Sequence, residues 1–233
     1  MGMEELYHVL NRGVDKRQIF MDDRDRARFV HDLWEFNDVQ FVDNVRHRLP
    51  TLSSSRKNIP LSSTDFVSPY FAKERIVDLH GWCIMNNHYH LLISEKIDGG
   101  LTQFIRKLNI GYAKYFNERY ERVGTLFQGR TKKILIRTDA HFLHILHYIH
   151  LNPLDYLQKA KSWRDGYIQS ANKVLAYLSR YRWSSYLDYC KQSNFPSILT
   201  TELFADVFSN YEKRIAGYVK DLDTEVIGQY PLE

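Results

Sequence analysis

Cysteine is scarce in this chain of 233 residues: Cys83 and Cys190 are the whole supply, too few for a disulfide framework and wrongly spaced for a zinc finger. No apolar run approaches the roughly 18 residues needed to span a membrane. The first residues, Met1-Gly2-Met3-Glu4-Glu5, lack the basic and apolar regions of a signal peptide, so the expected location is the cytoplasm. No internal repeat is visible.

Against these absences, the chain is rich in apolar and aromatic side chains. Hydrophobic residues make up 44%, enough for a real core in one domain, or one domain with an appendage. Tyrosine is abundant at 16 residues, and tyrosine suits wet, polar grooves. Net charge is +4 but unevenly spread. Between Leu101 and Arg137, nine basic residues face two acidic ones, a local +7. A second stretch, Lys159 to Arg182, carries six basic residues and a single Asp165. Basic fields interleaved with Tyr, Phe and Trp suit a polyanion with stackable bases, although a solvated helix face produces the same pattern.

The order of elements predicts an α+β fold. A first strand runs from Tyr7 to Gly13, and Asp22 or Asp23 caps a helix to about Asn37. From Leu49 to Pro69 the chain is rich in Ser, Thr and Pro and reads as an inserted loop. Strands over Arg75–Met85 and His88–Ser94 flank an Asn86-Asn87 turn. A helix opens at Gly99-Gly100 and runs to about Tyr120, and an extended segment covers Gly124 to Arg137. Asp139 is the expected cap of a helix ending near Asn152-Pro153. A basic, aromatic region around Tyr181–Tyr186 and an amphipathic helix over about Thr201–Lys220 complete the chain.

The run Trp82-Cys83-Ile84-Met85-Asn86-Asn87-His88-Tyr89-His90-Leu91-Leu92-Ile93 holds the chief chemical signal. Alternate side chains on a strand share a face, so His88 and His90 project together and are close enough to share one divalent ion. Two histidines do not make a catalytic metal site without a third ligand and open positions. Tyr148 and Asn152 stand at i and i+4 on a helix and so share a face, offering a phenol nucleophile and an amide-oxygen ligand. The plainer alternative is a core tyrosine followed by an Asn C-cap before Pro153.

Four motifs occur together in order: Tyr7-His8-Val9 with Arg12-Gly13; Met85-x-Asn87-His88-Tyr89-His90-Leu91-Leu92; Gly124-x-Leu126-Phe127-Gln128-Gly129-Arg130; and Tyr148-Ile149-x-x-Asn152-Pro153. The set resembles the single-tyrosine HUH transposases, which act on single-stranded DNA. Tyr181-Arg182-Trp183-Ser184-Ser185-Tyr186 is similar to a segment of their REP-associated branch. The resemblance covers roughly residues 5 to 190. It departs from the family at Asn86, where relatives usually carry Pro, and in the Ser/Thr-rich insertion.

The resemblance implies a ferredoxin/RRM-like antiparallel sheet carrying the HUH motif, flanked by helices, with a C-terminal helical extension. The expected division is a nuclease domain over 1–157, interrupted by a loop over about 40–74, then a basic, aromatic and helical extension over 158–233. His88, His90 and Asn152 are the implied ligands of Mg²⁺ or Mn²⁺, and Tyr148 the implied nucleophile, forming a 5′-phosphotyrosine link. Expected partners are single-stranded or hairpin DNA, with no membrane, and either a monomer or a homodimer acting near the nucleoid. Arg12, Arg106, Lys107, Lys114, Arg130, Lys132 and Lys133 are the expected DNA contacts. His8 and Asn11 border the metal site or serve a structural role. Tyr112 and Tyr115 are expected to pack or stack on bases. His144, His147 and His150 are expected at the surface or facing DNA. The competing reading is a catalytically silent hairpin-binding module derived from such an enzyme.

Overall fold

A computed structural model describes residues 5–39, 73–157, 163–164, 168, 170–205 and 207–220. The Ser/Thr-rich segment from Leu49 to Pro69 lies outside the described residues.

The first strand, β1, spans Leu6–Arg12. The following helix, α1 (Asp23–Glu35), starts where Asp22 Oδ1 accepts from the backbone N–H of Asp25 at 3.1 Å, satisfying a donor that the first turn leaves orphaned. β2 (Val77–Ile84) and β3 (His88–Glu95) form the expected hairpin, closed by the Met85 N–H donating to the His88 carbonyl at 2.8 Å. α2 (Gly100–Arg119) follows Gly99, whose φ of +72° lies where a side chain would strain the backbone. β4 is only Lys132–Leu135, shorter than the expected extended segment because Gly124 and Gly129, at φ +90° and +66°, bend the chain before it.

The sheet order is β2-β3-β1-β4, with every neighbour antiparallel. Chain order β-α-β-β-α-β on that sheet is the ferredoxin-like split β-α-β arrangement, and the fold is α+β. Register then assigns the faces. Leu92 stands opposite His8, His90 opposite Leu10 and His88 opposite Arg12. Directly opposed residues share a face, so His8, Leu10, Arg12, His88, His90 and Leu92 line one side. Val9, Tyr89, Leu91 and Ile93 line the other, where they pack with Phe29 and Leu33 of α1 and Phe104, Leu108 and Tyr112 of α2.

Both long helices of the split β-α-β units therefore sit on one face. The histidine face is covered instead by α3 (Asp139–Leu151), whose Ile145, Leu146 and Ile149 bury against Leu6, Cys83, Met85 and Leu92. A Cβ on Gly81 would lie 2.8 Å from Leu146 Cδ1, so glycine there lets α3 settle onto β2. The cap of α3 is Thr138, one residue before the expected Asp139, its hydroxyl accepting from the His141 N–H.

α4 (Ala171–Leu178), α5 (Tyr186–Tyr189), α6 (Glu202–Ala205) and α7 (Tyr211–Lys220) extend the α3 core through Val174, Leu178, Phe204, Tyr211 and Ile215. The single helix expected over 201–220 is two helices. Asn210 Oδ1 accepts from the Lys213 N–H at 3.0 Å and caps the second start. Residues 183–186 are buried and do not form an aromatic DNA-facing surface. They run along β2, with the Ile84 N–H donating to the Trp183 carbonyl and the Ser185 N–H to the Trp82 carbonyl, both at 2.9 Å. This shields the edge of the sheet from pairing with another strand. Among the described residues no helix is long and apolar enough to cross a membrane.

Candidate active site

Strand alternation places His88 and His90 side by side, their ring centroids 4.9 Å apart. Each ring is held through Nδ1: His88 by Asn87 Oδ1 at 2.6 Å, and His90 by His8 Nε2 at 2.9 Å. His90 Nε2 is buried and has no hydrogen-bond partner among the described residues. Burial holds His90 well below the ordinary imidazole pKa, reinforced by His88, His8 and the guanidinium charges of Arg164 and Arg12. Burial also lowers His8 to about 3, with a smaller contribution from His141. Both rings are thus neutral. A neutral imidazole fixed through one nitrogen presents the lone pair of the other, which is how ligating histidines are held.

Tyr148 lies against this pair within the same chain. Its ring centroid is 6.0 Å from that of His90 and 6.0 Å from that of His8, both edge-on. The side chain is 2% exposed, and Trp163 packs on it at 5.7 Å between ring centroids. Asn152, one turn on and buried, donates from Nδ2 to the Tyr148 carbonyl at 2.8 Å, closing the end of α3. Asn152 therefore does serve as the C-terminal cap that the plainer reading anticipated. Its Oδ1 accepts from Arg164 Nη2 at 2.9 Å, and an amide oxygen has a second lone pair to give. Two imidazoles, His88 and His90, and the Asn152 amide oxygen fit a divalent ion: imidazole binds transition ions, and amide oxygen suits Mg²⁺ and Mn²⁺.

Arg164 is a residue that the sequence did not single out. Its Nη1 donates to Tyr148 Oη at 2.6 Å, while Nη2 serves Asn152 Oδ1 and, at 2.8 Å, Asp155 Oδ2. It sits in the basic stretch 159–182, but no periodicity relates it to Tyr148. Asn86 also gains an account: its N–H donates to Tyr156 Oη at 2.5 Å, a bond that a proline at that position would lack.

The expected cationic contacts divide between the two faces. Arg12, opposite His88, and Lys132, opposite Leu10, belong to the histidine face. Lys133, opposite Val9, belongs to the other and donates to Thr102 Oγ1 at 2.7 Å. Lys107 donates to the Asp38 carbonyl at 2.7 Å, and burial lowers its pKa. Arg106 and Lys114 are exposed on α2, behind the sheet as seen from the histidines, and Arg130 is exposed before β4. Asn11 donates to Thr131 Oγ1 at 2.9 Å, a structural role.

The α3 histidines are not at the surface, contrary to expectation. His144, His147 and His150 are buried. His147 Nδ1 and His150 Nδ1 both bond Tyr211 Oη, at 3.1 and 2.6 Å; His150 Nε2 bonds Ser185 Oγ at 2.7 Å; and His144 pairs with Tyr218. α7 covers the flank on which they lie, which α3 sequence alone does not reveal. Tyr112 is likewise a packing residue, fully buried, with Oη donating to the Ile19 carbonyl at 2.5 Å. Tyr115 donates to Asp25 Oδ1 at 3.0 Å. Elsewhere, His31, Asp32 and Glu35 of α1 bring potential ligand atoms within 4.8 Å of one another, but Arg28 Nε donates to Asp32 at 2.8 Å, making this an internal ion-pair group.

A ferredoxin-like sheet presenting a His-x-His pair to a helix that bears a tyrosine has the architecture expected of the single-tyrosine HUH class. Residues 64–152, which include both histidines, Tyr148 and Asn152, match the family model described as "Transposase IS200 like", and that match bears out the family expected from the motifs. A solved REP-associated tyrosine transposase bound to a REP hairpin is similar over 84% of this chain and 85% of its own, with 12% identity and a TM-score of 0.45. No curated protein matches the chain.

Proposed function

We propose that this protein is a metal-dependent single-stranded DNA endonuclease and strand transferase, acting at hairpin or REP-type sequences through a 5′-phosphotyrosine. The observation that carries the reading is the contact of Tyr148 with His90 inside one chain, with rings 6.0 Å apart. Tyr148 packs within the apolar cluster around α3, yet two imidazoles stand beside its ring and a guanidinium donates to its oxygen, polar company that packing alone does not require.

His88 and His90, through Nε2, and Asn152, through Oδ1, would hold Mg²⁺ or Mn²⁺. Bound there, such an ion supplies Lewis-acid polarisation of the scissile phosphate and neutralises charge developing on its oxygens. His8 fixes the His90 ring, and Asn87 the His88 ring, so that their Nε2 atoms are the ligating nitrogens. Tyr148 attacks in line and retains the 5′-phosphate, leaving a free 3′-hydroxyl. The phosphodiester energy is conserved in the link, so rejoining needs no nucleotide cofactor. Arg12 and Lys132 stand nearest in register to receive the strand on the histidine face. Arg130, exposed just before β4, would contact a backbone phosphate beyond it, whereas Arg106, Lys107, Lys114 and Lys133 lie on the α2 side and would meet only DNA that wraps round to that face. Residues 1–157 form the nuclease unit of this proposal, and the C-terminal extension supports α3.

Incubating the protein with a labelled hairpin oligonucleotide and Mg²⁺ or Mn²⁺ tests the reading. A denaturation-resistant protein–DNA adduct is expected from the unaltered protein and none from Tyr148→Phe. An adduct that survives Tyr148→Phe moves the nucleophile elsewhere. Salt-dependent hairpin binding with no adduct from any variant favours the silent binding module.

A further inference from the structure

We propose that Arg164 is a catalytic residue of the covalent step, donating to the oxygen of Tyr148 that forms the bond to phosphorus. This rests on the reading of Tyr148 as nucleophile. In that step the Tyr148 Oη–P bond forms as the P–O3′ bond breaks. The phenol gives up its proton and the departing 3′-oxygen gains one, so phenol and phosphodiester become a phosphotyrosine diester and a 3′-hydroxyl with nothing left over.

The argument is geometric. A guanidinium is a planar fork with five N–H donors. Here one arm is spent on Tyr148 Oη at 2.6 Å, and the other on Asn152 Oδ1 and Asp155 Oδ2 at 2.9 and 2.8 Å. Asp155 is itself anchored, because Trp163 Nε1 donates to its other oxygen at 2.8 Å. Asp155 therefore acts as a positioning residue, and the fork is aimed at the phenol before any substrate arrives. An arginine serving packing alone would be satisfied by Asp155 and a carbonyl. This one joins Tyr148, the proposed nucleophile, to Asn152, the proposed metal ligand one turn further on.

The Arg164 guanidinium carbon also lies 5.2 Å from the Tyr148 ring centroid, so the positive charge is held beside the phenol. A donor fixed on the attacking oxygen holds the phenol at one rotation, and its charge offsets that gathering on the phosphate oxygens as attack proceeds.

The test is single-turnover adduct formation on a labelled hairpin oligonucleotide with Mn²⁺, with hairpin affinity measured separately and folding followed by thermal unfolding. Arg164→Ala is expected to slow the adduct about 10²–10³-fold, the scale for losing one preorganised donor, with hairpin affinity changed only a few-fold. Millimolar guanidinium is expected to restore part of the rate. Arg164→Lys, which cannot span three oxygens, is expected to recover little. Asp155→Asn keeps the shape while removing the anchoring charge, and is expected to slow the step about tenfold, the lower end for a supporting residue. An Arg164→Ala rate within twofold of the unaltered protein overturns the proposal. So does a faster rate, which would make Arg164 a cover over the tyrosine, or a loss that tracks unfolding in every variant without guanidinium rescue. If the unaltered protein forms no adduct, the reading of Tyr148 fails first and takes this one with it.

Discussion

At the scale of single residues, the question is what keeps a buried imidazole neutral and aimed. His90 and His8 are 0% exposed, and their 2.9 Å contact lets one ring orient the other. Such partners of ligating histidines typically contribute 10–100-fold in metal affinity. His8→Ala should therefore weaken Mn²⁺ binding by about that factor, read by titration calorimetry on the folded protein; unchanged affinity would reduce His8 to a packing role. His88, His90, Tyr148 and Asn152 were legible in the sequence because strand alternation and the helical i, i+4 relation are local rules. Arg164 was not, because its three bonds to Tyr148, Asn152 and Asp155 depend on a return of the chain that no period encodes.

At the scale of elements, α3 behaves as the hinge between chemistry and scaffold. One flank presents Tyr148 to the sheet, and the neighbouring flank gives His147 and His150 to Tyr211 of α7. Tyr211→Phe leaves those imidazole nitrogens buried without their shared partner, at a cost of about 1–3 kcal/mol measurable by chemical denaturation. Acid should act on the same contact. Burial lowers His144 to about 4 and His147 to about 3, with smaller contributions from His141 and His144 respectively, while Arg214 also lowers His147. His150 is lowered well below the ordinary value, first by burial and then by His147. Because the unfolded imidazoles titrate near 6.5, the unfolded state takes up protons that the folded state refuses. The stability these groups supply is full above about pH 6.5 and is lost as pH falls through 6 and 5 toward 4. Denaturation midpoints at pH 7.5, 6 and 5 should fall in that order, and less steeply in His147→Gln.

At the scale of the whole molecule, the fold brings Tyr148 of α3 against His90 of β3 within one chain. Tyr148 reaches His90 without a partner subunit, so a mixture of Tyr148→Phe and His88→Ala proteins should form no adduct. Restored adduct in the mixture would show that α3 is exchanged between copies. The sheet also sorts the basic residues, leaving Arg12 and Lys132 on the histidine face and Lys133 on the other, although Lys132 and Lys133 are neighbours in one basic stretch. By itself the sequence determined the α+β class, the strand carrying the histidine pair, the helix carrying Tyr148 and Asn152, and the family those motifs resemble, since each follows from short-range periodicity or motif order. Only the tertiary structure decided that α3 closes the open face of the sheet, that its other histidines are core residues, that residues 183–186 guard an edge, and that Arg164 meets the tyrosine. Those outcomes depend on which surfaces bury one another across the chain, and burial is a property of the packed molecule that local pattern does not carry.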